Sequence, residues 1–172
     1  EQDKATLVRH GMSYGSPSIK QALGELKAEG CDELVVLSLY PQNALSTTGV
    51  VADKTLAALS ALDWHPQTKL VGYYSAHLLY LEAIAASIRA AGFDSSAGDK
   101  LLFAFHSIPV RDIRNGDDYE DKARATANAV ARLLELDVQD WALGFQCRFD
   151  KARSWLGPFI PEALQTLGAP RG

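Results

Sequence analysis

Glu33-Leu34-Val35-Val36-Leu37-Ser38-Leu39 and Lys100-Leu101-Leu102-Phe103-Ala104-Phe105 are the two stretches on which the fold turns. Each is an almost unbroken apolar run, without the in-out alternation of a strand that faces water on one side. Such runs read as strands covered on both faces, the pattern of a parallel sheet. Working outward, Asp140-Trp141-Ala142-Leu143-Gly144-Phe145 reads as a third strand and Lys69-Leu70-Val71-Gly72 as a shorter one, and Ala5 to Val8 as the tail of another. Helices fill the spaces between them. Ser16-Pro17 opens one, with Ser16 as N-cap and Pro17 in the first turn; Ile19, Ala22, Leu23 and Leu26 form its apolar stripe and Gly30 stops it. Others are expected from about Ser46 to Leu62, from Leu78 to Ala91, from Asp117 to Leu134 and from Pro161 to Leu167. The fourth carries Asp117 as N-cap with Glu120 three residues on, a capping-box spacing.

Strand and helix alternate from end to end, which implies an α/β chain with open parallel sheets and helices on both faces. The polar and aromatic segment Pro66 to His77 is the expected boundary, dividing the chain into lobes over 1–72 and 73–172. The 172 residues are 47% apolar and carry 17 Lys and Arg against 21 Asp and Glu, a net charge of −4. That is the composition of an ordinary globular core, and with a pI near 5.5 and no basic run it argues against nucleic-acid binding. No stretch reaches the roughly 20 apolar residues of a membrane span, and Glu1-Gln2-Asp3-Lys4 does not read as a signal peptide, so a cytoplasmic location is expected. Cys31 and Cys147 stand far apart and outside any Cys-x-x-Cys pair. Free thiols are the expectation, and this chain alone cannot make a four-cysteine zinc or iron–sulfur site.

In an open α/β sheet, ligands bind where the strands end. Those positions are occupied by Gly11-Met12-Ser13-Tyr14-Gly15, Tyr40-Pro41-Gln42-Asn43, Tyr73-Tyr74, His106-Ser107-Ile108-Pro109 and Gln146-Cys147-Arg148-Phe149. They are rich in Tyr, His, Gln and Arg. His106 is the sharpest candidate, because it directly follows a buried strand and Pro109 fixes the turn after it; a histidine so placed can accept a proton or bind a metal. A histidine that only caps the strand end by hydrogen bonding is an equally good reading from position alone. His10, His65 and His77 lack any metal-ligand spacing and read as surface or boundary residues. No Gly-x-Gly-x-x-Gly and no Gly-Lys-Ser/Thr loop follows a strand, which removes the main support for dinucleotide or nucleoside triphosphate binding. Ser46-Thr47-Thr48 reads as ordinary helix capping, and Cys147 as an incidental thiol without a base.

Taken together, these segments resemble the ferrochelatases. The resemblance is carried by Leu39-Tyr40-Pro41-Gln42 with Ser46-Thr47-Thr48, by Phe105-His106-Ser107-Ile108-Pro109, by Gly116-Asp117-Asp118-Tyr119, and by Phe145-Gln146-Cys147-Arg148-Phe149 with Trp155-Leu156-Gly157-Pro158. Met12-Ser13-Tyr14-Gly15 and Tyr80-Leu81-Glu82-Ala83 add weaker matches. The resemblance implies a chelatase-like fold of two Rossmann-like lobes, incomplete at both ends in this chain. It implies a lyase of haem biosynthesis that inserts ferrous iron into protoporphyrin IX or coproporphyrin III. By the same resemblance His106 is the catalytic residue and the one that handles the metal, while Tyr14, Ile108, Gln146 and Trp155 line the porphyrin cleft. Iron enters as substrate, with no permanently bound cofactor and no iron–sulfur cluster expected; peripheral membrane contact stays open.

The chain also departs from the family pattern. Ser13 stands where many relatives have an arginine, so an ion pair to a porphyrin propionate is expected to be absent; Ser38 replaces a common proline and Cys147 a common serine. One extra residue lies between Phe149 and Trp155. A first cleft loop before residue 1 and an acidic partner of His106 after residue 172 are expected to be missing. The alternative function is therefore a non-catalytic porphyrin- or haem-binding fragment; a generic small-molecule domain is the third reading.

Overall fold

The computed structural model describes residues 6–168. These residues separate into two compact units, and the division falls between Tyr73 and Tyr74.

The first unit is built on helix α1 (Ile19–Ala28), strand β1 (Glu33–Leu37), helix α2 (Val50–Ala61) and strand β2 (Gln67–Val71). β1 and β2 pair in parallel, from Glu33 opposite Gln67 to Leu37 opposite Val71. Leu23 and Leu26 of α1, Leu34 of β1, and Ala58 and Leu59 of α2 form the core, with Trp64 and Leu62 packed against it. The expected cap at Ser16 is replaced by one at Ser18, whose hydroxyl accepts from the Gln21 N–H while the Gln21 side chain accepts from the Ser18 N–H. That reciprocal pair satisfies two of the donors a helix start leaves open, which neither Ser16 nor Pro17 is placed to do. At the other end Gly30 takes φ +78°, a left-handed conformation that suits glycine.

β1 stops at Leu37 rather than Leu39, and it is not covered on both faces. Val35 is 65% exposed and Leu37 54%, while Leu34 is buried. A continuous apolar run gave the strand correctly but not its burial. After β1 the chain forms a π-helical turn, Leu45–Gly49, that runs into α2; the Thr47 hydroxyl accepts from the Ala44 N–H at 3.2 Å. Thr6 to Val8 are not in a strand, and Ala5 lies outside the described residues.

The second unit contains helix α3 (Leu78–Ala90), strand β3 (Leu101–His106), helices α4 (Val110–Arg114) and α5 (Tyr119–Leu133), strand β4 (Trp141–Gln146) and helix α6 (Ile160–Gly168). β3 and β4 are parallel, from Leu101 opposite Trp141 to His106 opposite Gln146. Successive side chains of a strand point to opposite faces, so Phe103, Phe105, Leu143 and Phe145 share one face, and Leu102, Ala104, His106, Gly144 and Gln146 the other. On the first face Phe103 packs against Leu81 and Ala85 of α3 and Val130 of α5. On the second face lies α6: a Cβ at Gly144 would meet the Ala163 Cβ at 2.9 Å and the Ile160 Cα at 3.2 Å. Glycine at 144 is thus what lets α6 seat on β4. Helices pack on both faces of β4, but no residue of β3 is fully buried and Ala104 and His106 are exposed, so the run 100–105 is a strand without being the buried one expected.

Two details differ from expectation here. α5 starts at Tyr119, with Asp118 rather than Asp117 at the cap. The Asp117 carboxylate instead accepts the Tyr119 N–H at 3.0 Å, and Glu120 pairs with Arg124 one turn along. α4 has no sequence counterpart among the expected elements, because five residues bury no continuous stripe.

Candidate functional site

Site residues in the second unit grow out of the ends of β3 and β4. His106 is the last residue of β3, exposed, and opposite Gln146 at the end of β4. Beyond the strands the chain is tied down by hydrogen bonds between segments distant in sequence. The Ser107 N–H donates to the Gln146 carbonyl at 3.0 Å, and the buried Ser107 hydroxyl donates to the Leu156 carbonyl at 2.8 Å. The Leu156 N–H donates back to the Ile108 carbonyl at 3.0 Å, and the Val110 N–H to the Ser154 carbonyl at 2.9 Å. The segment carrying Trp155 is therefore laid alongside the turn carrying Pro109, and the two residues form a bridge.

This backbone frame sets up a row of rings. The His106 imidazole lies 5.1 Å from the Phe149 ring, and Phe149 lies 5.3 Å from Trp155, centroid to centroid. The indole N–H of Trp155 donates to the Asp150 carbonyl at 3.1 Å, which fixes the ring's orientation. Phe149 is largely exposed. A row of aromatic rings, tilted by 50–55° from one to the next, with an imidazole at one end offers an apolar surface with a polar terminus, a lining suited to an aromatic ligand.

Below the histidine sits Tyr119, a buried residue. Burial pushes its phenol up to about 12; hydrogen bonding with the His106 backbone works the other way, and the Asp117 carboxylate adds to the rise. Tyr119 is thus a neutral, fixed support for the end of β3.

A cleft of about 350 Å³ opens beside the end of β4, lined by Gln146, Cys147, Arg148, Phe159, Pro161 and Glu162 among others. The Arg148 guanidinium stacks on Phe159 at 3.7 Å from the ring centroid. Cys147 is an exposed free thiol with φ +68°.

The structure brings His106, Gln146 and Trp155 together, with Phe149 between the first and the last. Ile108 belongs to the same turn but is only 4% exposed, so it shapes the floor of the site rather than an open wall. Tyr14 is in the first unit, in a different setting: the residue is 76% exposed, and the Lys54 ammonium sits 3.7 Å from the ring centroid. Among the described residues no three of His, Cys, Asp and Glu gather closely enough to hold a metal ion. His65 lies at the surface, 3.3 Å from the Asp63 carboxylate, and His77 is the N-cap residue of α3.

With this geometry in hand, comparison with known proteins is decisive. The ferrochelatase family model matches residues 1–171. The chain belongs to the ferrochelatase family. It is 39% identical over 158 residues to the ferrochelatase of Nitrosococcus oceani, covering 92% of this chain and 43% of that protein. It is 38% identical over 164 residues to the ferrochelatase of Aromatoleum aromaticum, covering 95% of this chain and 45% of the relative. A protein named ferrochelatase 1 in Shewanella oneidensis is 38% identical over 160 residues, 93% of this chain and 48% of that one. The chain thus spans somewhat less than half the length of these curated relatives. Its mixed α/β architecture with parallel strands is the one expected of a ferrochelatase. Among the described residues no helix is long and apolar enough to cross a membrane.

Phe149, Ser107 and Tyr119 were not singled out as site residues by sequence reasoning. Phe149 and Ser107 stood inside the motifs that carried the resemblance, yet nothing in a motif says which side chain meets the histidine. Tyr119 could only have been found by knowing that the start of α5 packs beneath the end of β3.

Proposed function

We propose that this chain carries the histidine-bearing part of a ferrochelatase, an enzyme of haem biosynthesis that inserts ferrous iron into a porphyrin. The single observation that supports this most is the exposed His106 imidazole at the end of β3, leading a row of rings through Phe149 to Trp155. The macrocycle lies against that row, with Gln146 beside the histidine and Ile108 beneath. Insertion replaces two pyrrole N–H protons by one Fe²⁺, so two protons must leave as the metal enters. His106 is the base that takes them, one at a time, passing each to water, and it meets the metal on the same side of the ring. Iron is substrate here, not a resident cofactor, and the substrate is protoporphyrin or coproporphyrin. The place of work is the cytoplasm.

The test is a porphyrin titration followed by fluorescence quenching, beside an anaerobic insertion assay with ferrous iron, on wild type and His106→Ala. Wild type binds porphyrin saturably. His106→Ala keeps that affinity within about threefold, because the ring contacts of Phe149 and Trp155 are unaltered, and any insertion rate falls at least about 100-fold, as for loss of a general base. Absence of saturable binding, or insertion that survives the substitution, overturns the reading.

A further inference from the structure

We infer that Asp150 is a positioning residue for the porphyrin site: its carboxylate folds the loop that holds the Trp155 ring against Phe149. The inference rests on the porphyrin reading above and deepens it, by naming what sets one end of the aromatic row.

Five residues separate Phe149 from Trp155. An extended chain of that length would part the two by roughly 20 Å, yet their rings meet at 5.3 Å. The connection must therefore double back, and apolar packing does not make it do so. Lys151, Ala152, Arg153 and Ser154 are all exposed. The bond from the Val110 N–H to the Ser154 carbonyl and the bridge between Pro109 and Trp155 fix where the Trp155 backbone runs. They leave open the course of 150–153 and the direction of the indole.

Asp150 settles both. Its Oδ1 accepts the N–H groups of Ala152 at 3.0 Å and Arg153 at 2.9 Å. Its Oδ2 accepts the Arg153 Nε–H at 2.9 Å. An aspartate that takes backbone N–H groups two and three residues on bends the chain locally, without help from a core. The bend leaves the Asp150 main-chain carbonyl facing the tryptophan, where it accepts the indole N–H at 3.1 Å. Among the described residues, the hydrogen bonds of 151–153 all end on this one residue. The Arg153 guanidinium, held by the same carboxylate, stands 5.5 Å from the centre of the indole ring. Asp150 therefore acts on the site through Trp155.

The test joins two readouts on the whole chain. In ¹H–¹⁵N spectra of wild type the Trp155 indole N–H exchanges with solvent at least about tenfold more slowly than a free indole, as a hydrogen-bonded group does. Asp150→Ala removes that protection and moves the Trp155 indole signal, while the indole signals of Trp64 and Trp141 stay in place and report an intact fold. Binding of protoporphyrin IX, followed by fluorescence quenching, weakens about tenfold in Asp150→Ala, the worth of one aromatic contact. Asp150→Asn keeps an oxygen for the Ala152 and Arg153 N–H groups and gives up only the exposed pair with Arg153; it binds within about twofold of wild type. In a Trp155→Ala background, Asp150→Ala costs less than about twofold, because the ring it positions is gone. A loss as large without Trp155 as with it, or Asp150→Asn no better than Asp150→Ala, overturns the role of Asp150 while leaving the porphyrin reading intact. Fast exchange of the Trp155 indole in wild type does the same, and needs no variant. Failure of wild type to bind the porphyrin overturns both.

Discussion

The two units are built from the same parts, a parallel strand pair with helices packed on it, yet β4 of the second is buried where β1 of the first is not. In the second unit Phe145 of β4 is completely buried and α6 lies so close on the other face that only glycine fits at 144. In the first, β1 puts Leu34 into the core and leaves Val35 and Leu37 largely exposed. The candidate site residues differ in the same sense. His106 stands on a turn held by four hydrogen bonds to distant segments, whereas Tyr14 stands on a loop reached by one lysine side chain. An apolar run thus specifies a strand, but how far that strand is covered is decided by the helices that happen to pack on it.

The sharpest way to break the contrast is a matched pair of truncations. Phe145→Ala should cost about 3–5 kcal/mol, the range for removing a fully buried aromatic ring. Val35→Ala should cost less than about 1 kcal/mol, since only strand propensity and a partly exposed side chain are lost. Urea unfolding followed by circular dichroism gives both numbers. Equal losses would mean that β1 is covered in solution and that the contrast is not real.

Gly144→Val tests the other face of β4. The added side chain has no room against Ala163 and Ile160, and a loss of about 1–3 kcal/mol is expected from the overpacking. The same change at Gly72, where a Cβ would meet nothing within 4 Å, should be close to neutral. A neutral Gly144→Val in the same denaturation experiment would show that α6 sits less tightly on β4 than described.

Tyr119 gives a pH test of the rigidity beneath His106. Its folded pKa is raised to about 12, above the roughly 10 of an unfolded tyrosine. Between these values the unfolded chain has lost a proton that the folded chain keeps. The contribution of Tyr119 is therefore fully present below about pH 10 and is lost between about pH 10 and 12, at up to about 1.4 kcal/mol per pH unit. Tyr119→Phe should flatten this part of the stability profile, and tyrosinate absorbance should show one late-titrating group that the variant lacks. An unchanged slope would mean that the phenol is not shielded.

The smallest effect concerns association. Val35, Leu37 and Leu39 are all largely exposed, and clustered apolar side chains in water favour self-association. Replacing Val35 and Leu37 by Thr should lower the sedimentation-detected self-association of the chain with little change in stability. No self-association in wild type at high micromolar concentration would remove this distinction between the units.

The sequence was most legible where local chemistry decides the outcome. The strands around Val35, Phe103 and Leu143 and the glycine stop at Gly30 follow directly from apolar runs and backbone preference. It was least legible where the outcome depends on a distant partner. Ser18, rather than Ser16, caps α1 because Gln21 reaches back to it, and both serines look alike one residue at a time. Asp117 and Asp118 are adjacent carboxylates, and only the turn before α5 decides which of them holds the Tyr119 N–H. His106 was legible as a candidate from its place after an apolar run. Its neighbour Phe149 was not, because 43 residues separate them and the turn at 147–149 includes a left-handed Cys147.

The interlocking of residues 107–110 with 154–156 has a consequence for how the molecule responds to cutting. The connection from Cys147 to Arg153 contains Lys151 and Arg153, both exposed, and surface loops of this kind are where proteases nick. A tryptic cut there would leave Gln146 anchored in β4 on one side. On the other, Ser154 and Leu156 would still be held by the hydrogen bonds they share with Ser107, Ile108 and Val110. The two pieces should then stay together under native conditions and part only in denaturant, with Trp155 still fixed beside Pro109 although the peptide chain between it and the histidine's strand is gone.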